Sequence, residues 1–155
     1  MSQACQDSKA SRTQTVCLED LTVAEPLPPL VKPAIDKTQL VKYAGASGDF
    51  NPLHYMDEVG QKAGTGGVIA HGMLIMGFVG QAVTRWIPNR NLKSLTVRFV
   101  DITKPGDKIT VTGSITDKRV DHSTGLASGQ VIATDQNGGI KVKGTFEAVL
   151  PLKQT

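Results

Sequence analysis

Residues 68 to 83 read VIAHGMLIMGFVGQAV, an apolar run with a glycine-rich stretch before it and Arg85 and Pro88 after it. A helix that crosses a bilayer needs about 20 apolar residues. This run has 16 and holds His71 and Gln81. A segment apolar on every side but too short to span belongs in the core of a folded domain. The sequence therefore predicts one buried helix from about His71 to Trp86, stopped by Pro88.

After Pro88 the period changes to two. LKSLTVRFV sets Leu95, Val97 and Phe99 against Thr96 and Arg98. KITVTGSIT sets Ile109, Val111 and Ile115 against Lys108, Thr110, Thr112 and Ser114. LASGQVIAT is a third strand. IKVKGTFEAVL turns Ile140, Val142, Phe146 and Ala148 inward and Lys141, Lys143, Thr145 and Glu147 outward. The breaks between them are KPGD, with Pro and Gly in type II positions, the loop DHSTG, and the hairpin turn QNGG. Strands that alternate in this way have one wet and one dry face. Only the apolar helix can cover the dry face. The expected fold is α+β, an antiparallel sheet curled around one central helix. Its open edges favour pairing in a dimer.

Upstream, Asp36 and Gln39 suit a capping box for a helix over about Lys37 to Ala44, ended by Gly45 or Gly48. Leu18 to Val31, with PLPPLV, reads as an extended lead-in that supplies at most one edge strand. Residues 45 to 70 read as irregular. Residues 1–17 are polar and read as a disordered tail, which leaves 18–155 as one domain. Both cysteines, Cys5 and Cys17, fall in that tail as free thiols, and the cytoplasm is the expected compartment because the N-terminus lacks an apolar signal core. The net charge of +3 is not gathered into a basic patch and aromatics make up 5%. Nucleic-acid binding is therefore not expected, and neither is a membrane location.

The chemistry-bearing stretch is GASGDFNPLHYMD, residues 45 to 57. Asp49 and His54 sit five residues apart, with Asn51 and Pro52 stiffening the backbone between them. A carboxylate and an imidazole at one place can hold a water from two sides and move its proton. The same stretch also suits a plain turn in which Asp49 caps a backbone N–H, and His54 also suits a structural hydrogen bond. A second piece is His71-Gly72-Met73, where loop becomes helix. A helix N-terminus has free N–H groups, and Gly72 lets a ligand oxygen approach its own, as in an oxyanion hole. His71 reads as a cap or a packing residue, and His122 as a surface residue.

YAGASGDFNPLH, then GGVIAHGMLIMG, then VRFVDITKPGD resembles the MaoC-like, R-specific enoyl-CoA hydratase family over about residues 20 to 150. The resemblance implies a hot-dog fold and a reversible syn hydration of trans-2-enoyl thioesters to (3R)-3-hydroxyacyl thioesters. It implies Asp49 and His54 as catalytic residues and the Gly72 N–H as the thioester oxyanion donor. It implies no metal and no redox cofactor, with coenzyme A or an acyl-carrier protein as the substrate's handle. It implies a homodimer or larger homo-oligomer, with a heterodimer also open. The alternatives are the catalytic subunit of a (3R)-hydroxyacyl-acyl-carrier-protein dehydratase, a thioesterase, and a non-catalytic acyl-CoA-binding module. One departure stands at Gly60, where the family commonly has Ala or Ser; it implies a looser backbone there.

Overall fold

The computed structural model describes residues 16–153. Five strands form one antiparallel sheet: β1 (Leu30–Ala34), β2 (Leu92–Phe99), β3 (Lys108–Asp121), β4 (Thr124–Thr134) and β5 (Ile140–Leu150). Their order is β1-β3-β4-β5-β2. The expected turns join them. Gly106 takes φ +97° in KPGD, with the Asp107 N–H bonded to the Lys104 carbonyl at 3.1 Å. The chain then leaves β5 unpaired on one side until β2, earlier in sequence, lies along it with Leu95 opposite Phe146. β1 and β2 are the sheet edges.

Three helices accompany the sheet: α1 (Lys37–Ser47), α2 (Asp57–Lys62) and α3 (Gly72–Trp86). Asp36 caps α1 by accepting the Gln39 N–H at 2.6 Å, and Gly48 closes it at φ +74°. α1 thus runs one turn beyond the expected Ala44. α2 was not expected. It is six residues long, contains Gly60 and starts after Met56, which makes no side-chain cap bond, so neither length nor cap marks it in the sequence.

α3 is the central helix. Leu74, Ile75, Phe78, Val79, Ala82, Val83 and Trp86 are buried against the sheet. Burying one such side chain contributes about 1.5–3 kcal/mol. The helix is not enclosed on every side, as its composition suggests. Met73, Gly77, Gln81 and Thr84 are exposed, because a single sheet covers one face of a helix and not both. Among the described residues no helix is long and apolar enough to cross a membrane.

Two further expectations change. Lys141 is not outward and wet. It is 7% exposed, and its Nζ lies 2.7 Å from Asp101 Oδ2 and 3.2 Å from Asp135 Oδ2. The segment after β2 folds over this point of β5, with the Val100 N–H bonded to the Lys141 carbonyl at 2.9 Å. Cys17 is part of the fold: it is half-buried, next to buried Leu18, and Val16 packs on the core. Cys5 and most of the expected tail lie outside the described residues.

Candidate active site

Asp49 follows the left-handed Gly48 that ends α1. A chain of short side-chain caps fixes what comes next. Ser47 Oγ accepts the Asp49 N–H at 3.2 Å, Asp49 Oδ1 accepts the Asn51 N–H at 3.2 Å, and Asn51 Oδ1 accepts the Leu53 N–H at 3.0 Å. Pro52 then opens a single tight turn, Pro52–His54. The turn reading of this stretch therefore holds for one oxygen of Asp49. The other is free to face His54.

His54 has a side chain only 11% exposed. Its Nδ1 lies 2.9 Å from the Ile69 carbonyl. A carbonyl only accepts, so the network assigns the proton to Nδ1 and leaves the lone pair on Nε2. Nε2 lies 3.9 Å from Asp49 Oδ2. That is too long for a direct hydrogen bond, and it is a spacing that one water can bridge. The Ile69 N–H in turn bonds to the Leu53 carbonyl at 3.2 Å, so the histidine is held from both directions.

Gly72 is the first residue of α3 and is exposed. Its N–H has no carbonyl one turn back to bond within the helix. His54 and Gly72 line one pocket of about 190 Å³, together with Ile75, Phe99, Asp101 and Thr103. The ring of Phe99 lies against Gly72, where an added Cβ would sit 3.2 Å from it. The three residues singled out in the sequence are thus brought together: Asp49 and His54 pair, and His54 and Gly72 share a pocket.

Gly60 is not a loose point. It is buried, and a Cβ there would run into the Gly67 carbonyl. The Thr65 N–H and hydroxyl both bond to the Gly60 carbonyl, at 3.0 and 2.9 Å. The missing side chain admits the backbone that leads into α3.

His71 is a member of the site that the sequence reading set aside as cap or packing. It occupies the N-cap position of α3 without a side-chain cap bond. It is 2% exposed, stacks on His54 with ring centroids 3.8 Å apart, and places Nε2 3.1 Å from the Asp49 carbonyl. The signal available was its place in AHGM. Nothing in the sequence shows that 22 residues of chain close back on Asp49.

Asp49, His54 and His71 each offer a ligand atom, all within 4.8 Å of one another. A metal lies in the plane of each imidazole that binds it, about 2 Å from the nitrogen. The two rings are stacked only 25° from parallel. Their planes therefore do not converge on a common ion, and the set suits proton transfer better than ligation.

Comparison with known proteins agrees with the resemblance. The family model described as MaoC like domain matches residues 6–137. A probable dehydratase, NIT22, of Ajellomyces capsulatus is 35% identical over 68 residues, which are 42% of this chain and 18% of that protein. The match thus spans less than a fifth of the curated relative. The solved structure of a monoamine oxidase regulatory protein from Archaeoglobus is similar with a TM-score of 0.79 and 21% identity, over 90% of this chain and 97% of that one. An (R)-hydratase from A. caviae involved in PHA biosynthesis has a TM-score of 0.74 and 24% identity, over 86% of this chain and 99% of that one. These likenesses show the fold: it is the α+β hot-dog fold, an antiparallel sheet around one helix.

Proposed function

The chain belongs to the MaoC-like domain family, and on that premise we propose that it is an R-specific enoyl thioester hydratase, acting in reverse as a (3R)-3-hydroxyacyl thioester dehydratase. The observation that carries this reading is the 3.9 Å gap between His54 Nε2 and Asp49 Oδ2, with His54 lining the same pocket as Gly72.

A water held between the two groups loses a proton to His54 Nε2 as its oxygen bonds to C3 of the enoyl thioester. The electron pair of the 2,3 double bond moves toward the thioester carbonyl, where the Gly72 N–H stabilises the negative oxygen. Asp49 orients the water and helps to deliver to C2 the proton that His54 took up, so both side chains end as they began. The sum is one water added across the double bond. The apolar wall of Ile75, Phe99 and Val142 takes the first carbons of the acyl chain. The handle is coenzyme A or an acyl-carrier protein, and neither metal nor redox cofactor enters this chemistry.

A dimer is part of the proposal. β2 is an edge strand, Phe99 at the pocket is 47% exposed, and Phe50, Met73 and Val100, next in sequence to Asp49, Gly72 and Phe99, are exposed too. A second copy would cover such a surface.

The second reading is a non-catalytic acyl-thioester-binding module. It draws on the similar Archaeoglobus structure, which is named a regulatory protein. Incubation with crotonyl-CoA, followed by ultraviolet loss of the enoyl thioester and chiral analysis of the product, tests the proposal. Loss with R product is the expected result. A folded protein that binds crotonyl-CoA and the corresponding carrier-protein thioester but turns over neither would favour the module.

A further inference from the structure

We propose that His71 is a positioning residue for the Asp49/His54 pair, holding the Asp49 main chain through Nε2–H and the His54 ring by stacking. The inference rests on the acid–base reading of that pair given above.

Nε2 of His71 lies 3.1 Å from the Asp49 carbonyl oxygen. The carbonyl accepts only, so Nε2 carries the proton and Nδ1 the lone pair. Nδ1 is buried and has no hydrogen-bond partner among the described residues. A buried acceptor without a donor is destabilising, and a leucine or phenylalanine could fill the same volume without that cost. Packing alone therefore does not account for a histidine here. What the imidazole adds is one directed N–H and one flat face.

Both are used on the reacting groups. The N–H fixes the carbonyl of Asp49, and the side chain of a residue turns with its own backbone. The face lies 3.8 Å from the His54 ring and limits tilting of that ring about its Nδ1 bond to the Ile69 carbonyl. Tyr43 backs His71 on another side, with ring centroids 4.9 Å apart. His71 also immediately precedes Gly72, so one buried residue ties the oxyanion donor to the acid–base pair. Asp49 follows α1 and Gly72 begins α3, and the chain between them holds the short Pro52–His54 turn and α2.

The test compares His71→Leu with His71→Gln. Leucine fills space but offers no N–H, and glutamine can return an N–H to the Asp49 carbonyl. With crotonyl-CoA, His71→Leu is expected to lower kcat by about 10- to 100-fold with KM within about threefold, the scale of misplacing a reacting group by a fraction of an ångström. His71→Gln is expected to recover most of that loss. If His71→Leu does not fold, His71→Asn takes its place, since its shorter amide does not reach the carbonyl. Near-normal kcat in the variant without the N–H, or equal losses in both variants, would overturn the proposal. Ring nitrogen-15 spectra of His54 provide a readout that needs no turnover. The wild type is expected to show the proton on Nδ1, and His71→Leu a changed ring spectrum. An inactive wild type with that spectral change would count against the hydratase reading and for the positioning role. An unchanged spectrum would overturn the positioning role itself.

Discussion

His54 Nε2 and Asp49 Oδ2 face one another across 3.9 Å, and each is anchored from behind, His54 by the Ile69 carbonyl and Asp49 by the Asn51 N–H. Asp49→Asn keeps an oxygen for the Asn51 N–H and loses the charge. His54→Ala removes the base. Each is expected to lower turnover of an enoyl thioester by about 100-fold or more, the usual scale for one acid–base group, in a protein that still melts cooperatively. Steady-state kinetics beside a thermal melt checks this. Near-normal turnover in either variant would remove that residue from the mechanism.

Gly72 faces the ring of Phe99 at the pocket edge. Gly72→Val would place branched carbons where an added Cβ alone already meets that ring at 3.2 Å. Both kcat and KM are expected to worsen, because the thioester oxygen can no longer approach the N–H. Normal kinetics in this variant would show that the oxyanion donor lies elsewhere.

Lys141 gives the fold a pH dependence. Its hydrogen bond to Asp101 holds that carboxyl below the ordinary 3.8. Asp135 is lowered first by the backbone N–H groups of Gly139 and Asn137 and then by Lys141. Burial works to lower the Lys141 ammonium, but the bonds to Asp101 and Asp135 outweigh it and hold it above 10.5. The carboxylates' contribution is present above their unfolded value and is lost as pH falls through the lower folded one. That of Lys141 is present below 10.5 and is lost as pH rises through its raised value. Melting temperature is therefore expected to fall below about pH 4 and again in strong alkali. Lys141→Met should melt lower at neutral pH and lose less on acidification. Thermal melts across pH would contradict this if the variant kept the wild-type temperature and acid slope.

Phe146 is 1% exposed, and its ring lies over Gly129, its partner across β4 and β5. A Cβ at Gly129 would run into that ring, which has no route to solvent. Gly129→Ala is expected to cost about 1–3 kcal/mol, the range for overpacking a core. Chemical denaturation would contradict the account if the midpoint did not move.

Period-two alternation made β2 to β5 legible, and an apolar run ending at Pro88 made α3 legible, because both patterns are local. The Asp49/His54 pair was legible for the same reason: Gly48, Asn51 and Pro52 fix it within a few residues. Lys141 was misread because alternation gives a side-chain direction and not what later folds over it. The cover comes from Asp101, between β2 and β3, and Asp135, between β4 and β5. His71 was visible as a residue, but its proposed role depends on a contact with Asp49, 22 residues away, that exists only in the folded chain. α2 was missed because six residues around Gly60 carry too little pattern to separate from a loop.

The most direct test of the acid–base account is hydration of crotonyl-CoA in deuterium oxide, with the configuration read at both C2 and C3 of the product. The account predicts an R hydroxyl at C3 with deuterium added to C2 on the same face, since Asp49 and His54 address the substrate from one side. An S product, addition to opposite faces, or no product from a protein that binds the thioester would contradict it.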